Sequence, residues 1–160
     1  MRKLAQDLLP VEAFSAEIAE GIVGYLDDLK PGYWYHRDKI NSRPTKGDPT
    51  ASYFFLGDRQ QPKELRDYLF DLAPTIDGAK PDEACINRYE VGYGMPEHID
   101  QALYRFNMVI ALCDHGDGLV VDGKLYVDSP GKGLILPCVS PPHEVPPVQH
   151  KRYTLIYLYE

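Results

Sequence analysis

Residues 118–127 read Gly118-Leu119-Val120-Val121-Asp122-Gly123-Lys124-Leu125-Tyr126-Val127. Two short runs of branched and aromatic residues flank Asp122-Gly123. That pair suits the left-handed φ values of a two-residue turn, so the stretch predicts a β-hairpin. It belongs to a longer series: 84–90, 105–113, 133–136 and 152–159 are also short, apolar or aromatic, and separated by Gly, Pro and Asp. The chain before them reads differently. Val11, Phe14, Ile18, Ile22, Tyr25 and Leu29 recur at steps of three and four, which predicts a helix over 11–29 with Phe14, Ile18 and Ile22 buried and Pro31-Gly32 ending it. Pro62 opens a second helix lined by Leu65, Leu69 and Leu72 and stopped by Pro74. Between the two helices, 33–61 is aromatic and rich in turn residues, with one strand expected near 52–56 and long loops around it. Helices first and strands after predict a mainly β fold with N-terminal helices packed against one antiparallel barrel or sandwich. The expected organisation is a single domain over 1–160, with a helical and loop front at 1–82 and a barrel core at 83–160.

The composition sets limits. A chain of 160 residues, 44% hydrophobic and 26% charged, is an ordinary globular mix. The net charge of −7 disfavours a polyanionic partner overall, because phosphate binding is driven by Lys and Arg. No apolar run approaches the ~20 residues of a membrane span. The opening Met1-Arg2-Lys3-Leu4-Ala5-Gln6-Asp7 lacks the apolar stretch of a signal peptide, and a cytoplasmic location is expected. Cys85, Cys113 and Cys138 are read as buried free thiols, since they are widely spaced and form no CxxC pair.

The chemistry is concentrated after residue 97. In His98-Ile99-Asp100 the two outer residues project to one side of an extended chain. They offer a nitrogen and an oxygen ligand, and His143 lies several strands further on. Two His and one carboxylate form a facial triad that leaves positions open, as non-haem iron(II) oxygenases require; zinc favours a more closed tetrahedral site. Nine residues after His143 comes Arg152, at the head of the apolar strand Arg152-Tyr153-Thr154-Leu155-Ile156-Tyr157-Leu158-Tyr159. An Arg placed there calls for an anion, and its planar fork matches a carboxylate. His115 sits in the turn Asp114-His115-Gly116-Asp117-Gly118 and reads as solvated. His150 competes for the third ligand position, but the His143-Glu144-Val145 context favours His143. His36 falls in the front loop. Asp114 and Asp117 are accounted for by turn chemistry.

HxD, a Gly-rich hairpin, His143-Glu144-Val145-Pro146-Pro147 and an Arg-Tyr strand together resemble the double-stranded β-helix oxygenases of the prolyl-hydroxylase type. In the oxygen-sensing members of that family the basic residue is likewise an Arg nine places after the distal His. Ile86-Asn87-Arg88-Tyr89 is similar to the Asn-Arg-Tyr segment of AlkB-type nucleic-acid dealkylases, and by that resemblance Asn87 and Tyr89 hydrogen-bond the co-substrate. The resemblance covers about Cys85 to Tyr159. It implies a jelly-roll or cupin-like barrel, with His98, Asp100 and His143 as catalytic metal ligands and Arg152 on the distal carboxylate of 2-oxoglutarate. It also implies iron(II), 2-oxoglutarate and O₂, with ascorbate as accessory reductant, and release of succinate and CO₂ as a C–H bond is hydroxylated. There are two departures. The 105–113 strand has no Ser, Thr or Tyr to assist Arg152, leaving Tyr89, Tyr93 or Thr154 to do so or Arg152 to act alone. The second Arg of AlkB-type enzymes is missing from 154–159, which favours the prolyl-hydroxylase-like branch.

For the substrate, residues 34–47 stand out. Arg37, Lys39, Arg43 and Lys46 against Asp38 give a local charge of +3 beside Trp34 and Tyr35. Aromatics beside basic residues suit a peptide or a single-stranded nucleic acid. A protein or peptide side chain such as proline ranks first, and a nucleobase second. A free small molecule, a non-catalytic metal- or 2-oxoglutarate-binding homologue and a cupin-type enzyme without 2-oxoglutarate remain alternatives.

Overall fold

The computed structural model describes residues 8–101 and 104–160; the reading of residues 1–7 lies outside them. The elements run β1 (Val11–Glu12), α1 (Ala16–Asp28), β2 (Tyr35–Lys39), β3 (Arg43–Pro44), β4 (Thr50–Leu56), α2 (Lys63–Leu72), β5 (Glu83–Tyr89), β6 (Met95–Ile99), β7 (Phe106–Ala111), β8 (Gly118–Val121), β9 (Lys124–Val127), β10 (Lys132–Pro137), β11 (His143–Val145) and β12 (Arg152–Tyr159). They form two antiparallel sheets. The larger has the order β1-β10-β7-β12-β5-β4-β2, and the smaller β3-β6-β11-β8-β9. The two face each other as the halves of a double-stranded β-helix.

The alternation of β12 explains the layering. Side chains along a strand point alternately to opposite faces. Tyr153, Leu155, Tyr157 and Tyr159 belong to the core that also holds Ile22 and Leu26 of α1 and Leu65 and Leu69 of α2. Arg152, Thr154, Ile156 and Leu158 line the space between the sheets. The outward tyrosines also tether the helices. Tyr153 donates to Asp27 Oδ1 at 2.7 Å, Tyr157 donates to the Leu69 carbonyl, and Tyr159 donates to the Pro74 carbonyl at 2.8 Å. Inside, Tyr53, Tyr89, Leu134 and Leu136 of the large sheet pack with Leu119, Val121 and Val145 of the small one.

The hairpin that opened the reading is present: β8 pairs with β9, and Asp122 and Gly123 take φ of 50° and 78°. Three expectations need correction. The first helix begins at Ala16, because Ser15 caps it by accepting from the Ile18 N–H. Val11 lies instead in β1 and pairs with Gly133, and Ile18 is half-buried. Half of the expected long loop at 34–47 is two short strands. β2 joins the large sheet beside β4, and β3 joins the small sheet beside β6, so this segment crosses from one half of the barrel to the other. Cys85 and Cys113 are buried free thiols, but Cys138 is only half-buried.

Gly131 sets how closely the first helix docks. Its φ is +82°, and a Cβ there would lie 2.1 Å from the Phe14 carbonyl oxygen. The same turn accepts the Ala13 N–H at 2.8 Å. A side chain in left-handed backbone costs about 1–3 kcal/mol before any clash is counted. For a domain of this size each kcal/mol is worth roughly 2–4 °C. Gly131→Ala therefore lowers the thermal midpoint by several degrees, as differential scanning calorimetry would show.

Candidate metal centre

Three side chains converge at the open end of the barrel. His98 is the penultimate residue of β6 and pairs directly with His143, the first residue of β11. Asp100 follows β6 by one residue. Suitable ligand atoms of the three lie within 4.8 Å of one another. Asp100 Oδ2 is 3.3 Å from His143 Nε2, and Oδ1 is 3.7 Å from His98 Nε2.

Backbone carbonyls fix which ring nitrogens are available. His98 Nδ1 is 2.8 Å from the Pro96 carbonyl oxygen, and His143 Nδ1 is 2.9 Å from that of Pro141. A carbonyl can only accept, so each Nδ1 carries hydrogen and each Nε2 is left toward Asp100. A hydrogen bond at one ring nitrogen is what selects the other as a metal ligand. Asp100 is held as well. Ser42 Oγ donates to Oδ1 at 2.8 Å, and Asn107 Nδ2 donates to Oδ2 at 3.3 Å. The Asp100 N–H donates to Ser140 Oγ at 2.8 Å.

The electrostatics of the three differ. Burial raises the Asp100 carboxyl, but the hydrogen bond and charge of His143, then His98 and Ser42, outweigh it and bring its pKa down to about 2. For His98, burial and the neighbouring His143 both push downward, and it ends below its ordinary value. For His143, burial also pushes downward, but Asp100 outweighs it and holds the ring above its ordinary value. A proton and a metal ion compete for the same Nε2 of His143. Metal affinity therefore rises with pH, at most about tenfold per unit, until the His143 ring has lost its proton. A two-proton slope there would mean that His98 also starts protonated. Anaerobic iron(II) titrations across pH 5.5–8.5 distinguish the two (~1 against ~2 log units per pH unit).

The triad opens onto a cavity of about 390 Å³ between the sheets. It is also lined by Arg152, Thr154, Tyr89, Val109 and Leu119, and by Asn87, two residues before Tyr89 on the same face of β5. Asn87 Nδ2 donates to the Tyr89 hydroxyl oxygen at 3.4 Å, which leaves the Tyr89 hydrogen free to point elsewhere. Burial pushes that phenol up to about 12, so it stays protonated. Asn87 Oδ1, Asn107 Oδ1 and Thr154 Oγ1 are buried without a hydrogen-bond partner among the described residues. Buried polar atoms are almost always paired. All three line the same cavity, where they are available to a polar ligand.

No family model matches the chain, and no curated protein is similar to it in sequence. Solved structures are. A 2OG-Fe(II) oxygenase family oxidoreductase from Burkholderia pseudomallei is 20% identical over 94% of this chain and 83% of that one, with a TM-score of 0.63. A prolyl-4-hydroxylase from Pseudomonas putida is 15% identical over 96% and 92%, with a TM-score of 0.64. A prolyl hydroxylase from Trichoplax adhaerens, solved with a hypoxia inducible factor peptide fragment, is 16% identical over 95% and 83%, with a TM-score of 0.62. The chain has the fold of the 2-oxoglutarate- and iron(II)-dependent oxygenases.

Within this oxygenase fold the six residues singled out from the sequence fall on one cavity. His98, Asp100 and His143 come together as a set that could hold a metal ion, and Arg152, Tyr89 and Asn87 line the same cavity. His150 and His115 stand apart from the triad. Their rings are 5.3 Å from each other, and His150 lies 3.9 Å from Asp117. His36 packs edge-on against Phe54 and contacts Ser52 Oγ at 3.3 Å. Of the basic segment, Arg37, Ile40, Asn41 and Ser42 line the cavity. The sequence reading missed Ser42, Asn107 and Ser140, each of which holds Asp100, and Asp128, which pairs with Arg152. One local signal was available for the histidines. Both follow a proline by two positions, Pro96-Glu97-His98 and Pro141-Pro142-His143, and both donate to that proline's carbonyl.

Among the described residues no helix is long and apolar enough to cross a membrane.

Proposed function

We propose that the protein is an iron(II)- and 2-oxoglutarate-dependent hydroxylase acting on a protein or peptide side chain, with proline the first candidate. One observation carries the reading. A His-Asp-His set with both Nε2 atoms presented shares a cavity with a buried Arg and with hydroxyl and amide groups that lack partners. His98, Asp100 and His143 would hold iron through two nitrogens and one oxygen, a set suited to iron(II) with open positions. Arg152, Tyr89 and Thr154 supply N–H and O–H donors on the same cavity, which fit the distal carboxylate of 2-oxoglutarate. Bound together with O₂, these groups supply oxidative decarboxylation to succinate and CO₂ and the insertion of one oxygen atom into a C–H bond.

The chain's own residues have the remaining tasks. Asp100 stays anionic at working pH, and Ser42 and Asn107 keep it oriented. Val109, Leu119 and Ile156 give the cavity apolar walls that limit water. The outer wall carries Arg37, Asn41, Glu83, Gln101 and Tyr104, a mixture of charges and amides suited to peptide backbone and side chains. It suits stacked bases less well where arginines already cover the faces of Phe55, Trp34 and Phe54. Arg37 lies over Phe55 at 4.5 Å, and Arg88 lies between Trp34 and Phe54 at 4.7 and 4.2 Å. The peptide-bound Trichoplax structure supports the same choice.

Incubation with iron(II), 2-oxoglutarate and peptide pools tests the reading. It predicts succinate release and a peptide product one oxygen atom heavier. A product found only with oligonucleotides would replace the peptide by a nucleobase. Iron and 2-oxoglutarate binding with no succinate under any condition would leave a binding protein.

A further inference from the structure

Arg152, which lines the cavity, forms a two-point pair with Asp128. Nε donates to Oδ2 at 2.7 Å and Nη2 donates to Oδ1 at 3.0 Å, with side-chain exposures of 3% and 4%. Asp128 follows β9 immediately. It lines a second, smaller cavity of about 70 Å³, together with Tyr126, Lys132 and Leu134. Arg152 borders both cavities, whereas Asp128 borders only the smaller one. Asp128 therefore grips the guanidinium from behind. The grip is itself braced: the Asp128 N–H donates to the Asp117 carbonyl at 2.8 Å. The Asp117 carboxylate in turn accepts the Gln149 and His150 N–H groups at 2.9 and 3.2 Å, just ahead of β12.

A guanidinium has five N–H donors in a rigid planar fork. Asp128 uses the Nε edge, which leaves both N–H groups of Nη1 and one of Nη2. Tyr89 and Thr154 line the main cavity that Arg152 borders, and the Arg152 guanidinium lies over the Tyr89 ring, 5.5 Å from its centroid. We propose that Asp128 is the positioning residue of the co-substrate anchor: it locks Arg152 so that its Nη1–Nη2 edge faces the main cavity, and so creates the preference for a 2-oxo acid with a distal carboxylate. The inference rests on the reading of Arg152 in the proposed function. The cation is already neutralised before any ligand arrives, so the buried anchor keeps its place in the empty cavity. What it then offers an incoming carboxylate is a set of aimed donors with little left to reorganise, the condition that turns contacts into affinity.

The test is direct binding, by anaerobic calorimetry on the iron(II)-loaded protein, of 2-oxoglutarate and of 2-oxopentanoate, which has a methyl group where the distal carboxylate would be. Asp128→Asn is expected to lower the preference for 2-oxoglutarate at least about tenfold. Affinity for 2-oxopentanoate and for iron(II) should stay as in the wild type. A merely structural pair would lower the thermal midpoint and leave the preference intact, and that result overturns the proposal. Should the Asn variant fail to fold, Asp128→Glu keeps the counter-ion but moves the guanidinium by a methylene length. It must show the same selective loss, and a wild-type preference in it also overturns the proposal. A wild-type protein that does not discriminate between the two acids would instead refute the role given to Arg152.

Discussion

His98→Ala is expected to remove iron(II) binding and turnover together. His98 supplies one of two presented Nε2 atoms, and its side chain is only 6% exposed. Little room exists for a surface residue to replace it. Losing an outer partner of a metal ligand typically costs about 10–100-fold in affinity. Losing the ligand itself must exceed that. Ser42→Ala and Asn107→Ala, which touch Asp100 but offer no ligand, should fall within that outer-partner range and mark the scale. His143→Ala should match His98→Ala. His115→Ala and His150→Ala should bind iron as the wild type does, because neither ring reaches the triad. Anaerobic iron(II) titration reads all six variants, and a His150→Ala variant that loses iron would reassign the third ligand.

Arg152→Ala should weaken 2-oxoglutarate by roughly two to three orders of magnitude. Removing the partner of a buried charge costs about 3–5 kcal/mol, and each 1.4 kcal/mol is about tenfold in affinity. Iron binding should be nearly unchanged, since Arg152 is not among the groups that could hold the metal. The substitution also strands Asp128, whose carboxyl burial already pushes above its ordinary value against the pull of Arg152. Some loss of stability is expected for that reason alone. The double variant Arg152→Ala/Asp128→Asn removes the stranded charge and should recover stability without recovering 2-oxoglutarate affinity. Arg152→Lys keeps the charge but not the fork, and should fall between wild type and Ala.

The sequence made the apolar central strands legible. β8, β9 and β12 stand where Gly118–Val121, Lys124–Val127 and Arg152–Tyr159 were expected, because branched and aromatic runs bounded by Gly, Pro and Asp, and an Asp-Gly turn, are local signals. β1, β2 and β3 were not legible. They are short edge strands, mostly exposed, so they carry little apolar alternation and are defined by the neighbour they pair with. The same division runs through the site. His98, Asp100 and His143 were read as a set from their residue types and context, and the fold brings them together. Ser42 and Asn107 were invisible because nothing local distinguishes a Ser or Asn that happens to reach Asp100 across 58 or 7 residues of sequence. Arg152 shows the limit most clearly. Its need for an anion was read correctly from burial, but the protein already supplies one in Asp128, and only the fold brings the two together.

The central claim is that one cavity unites an iron site with a 2-oxoglutarate site for oxidative chemistry. Its most direct test is succinate formed from 2-oxoglutarate under air, measured with and without iron(II), in the wild type and in His98→Ala. The account predicts iron-dependent succinate in the wild type, stimulated by the right peptide, and none above background in His98→Ala. Succinate formation that persists in His98→Ala, or a wild type that binds both iron(II) and 2-oxoglutarate yet releases none, would contradict it.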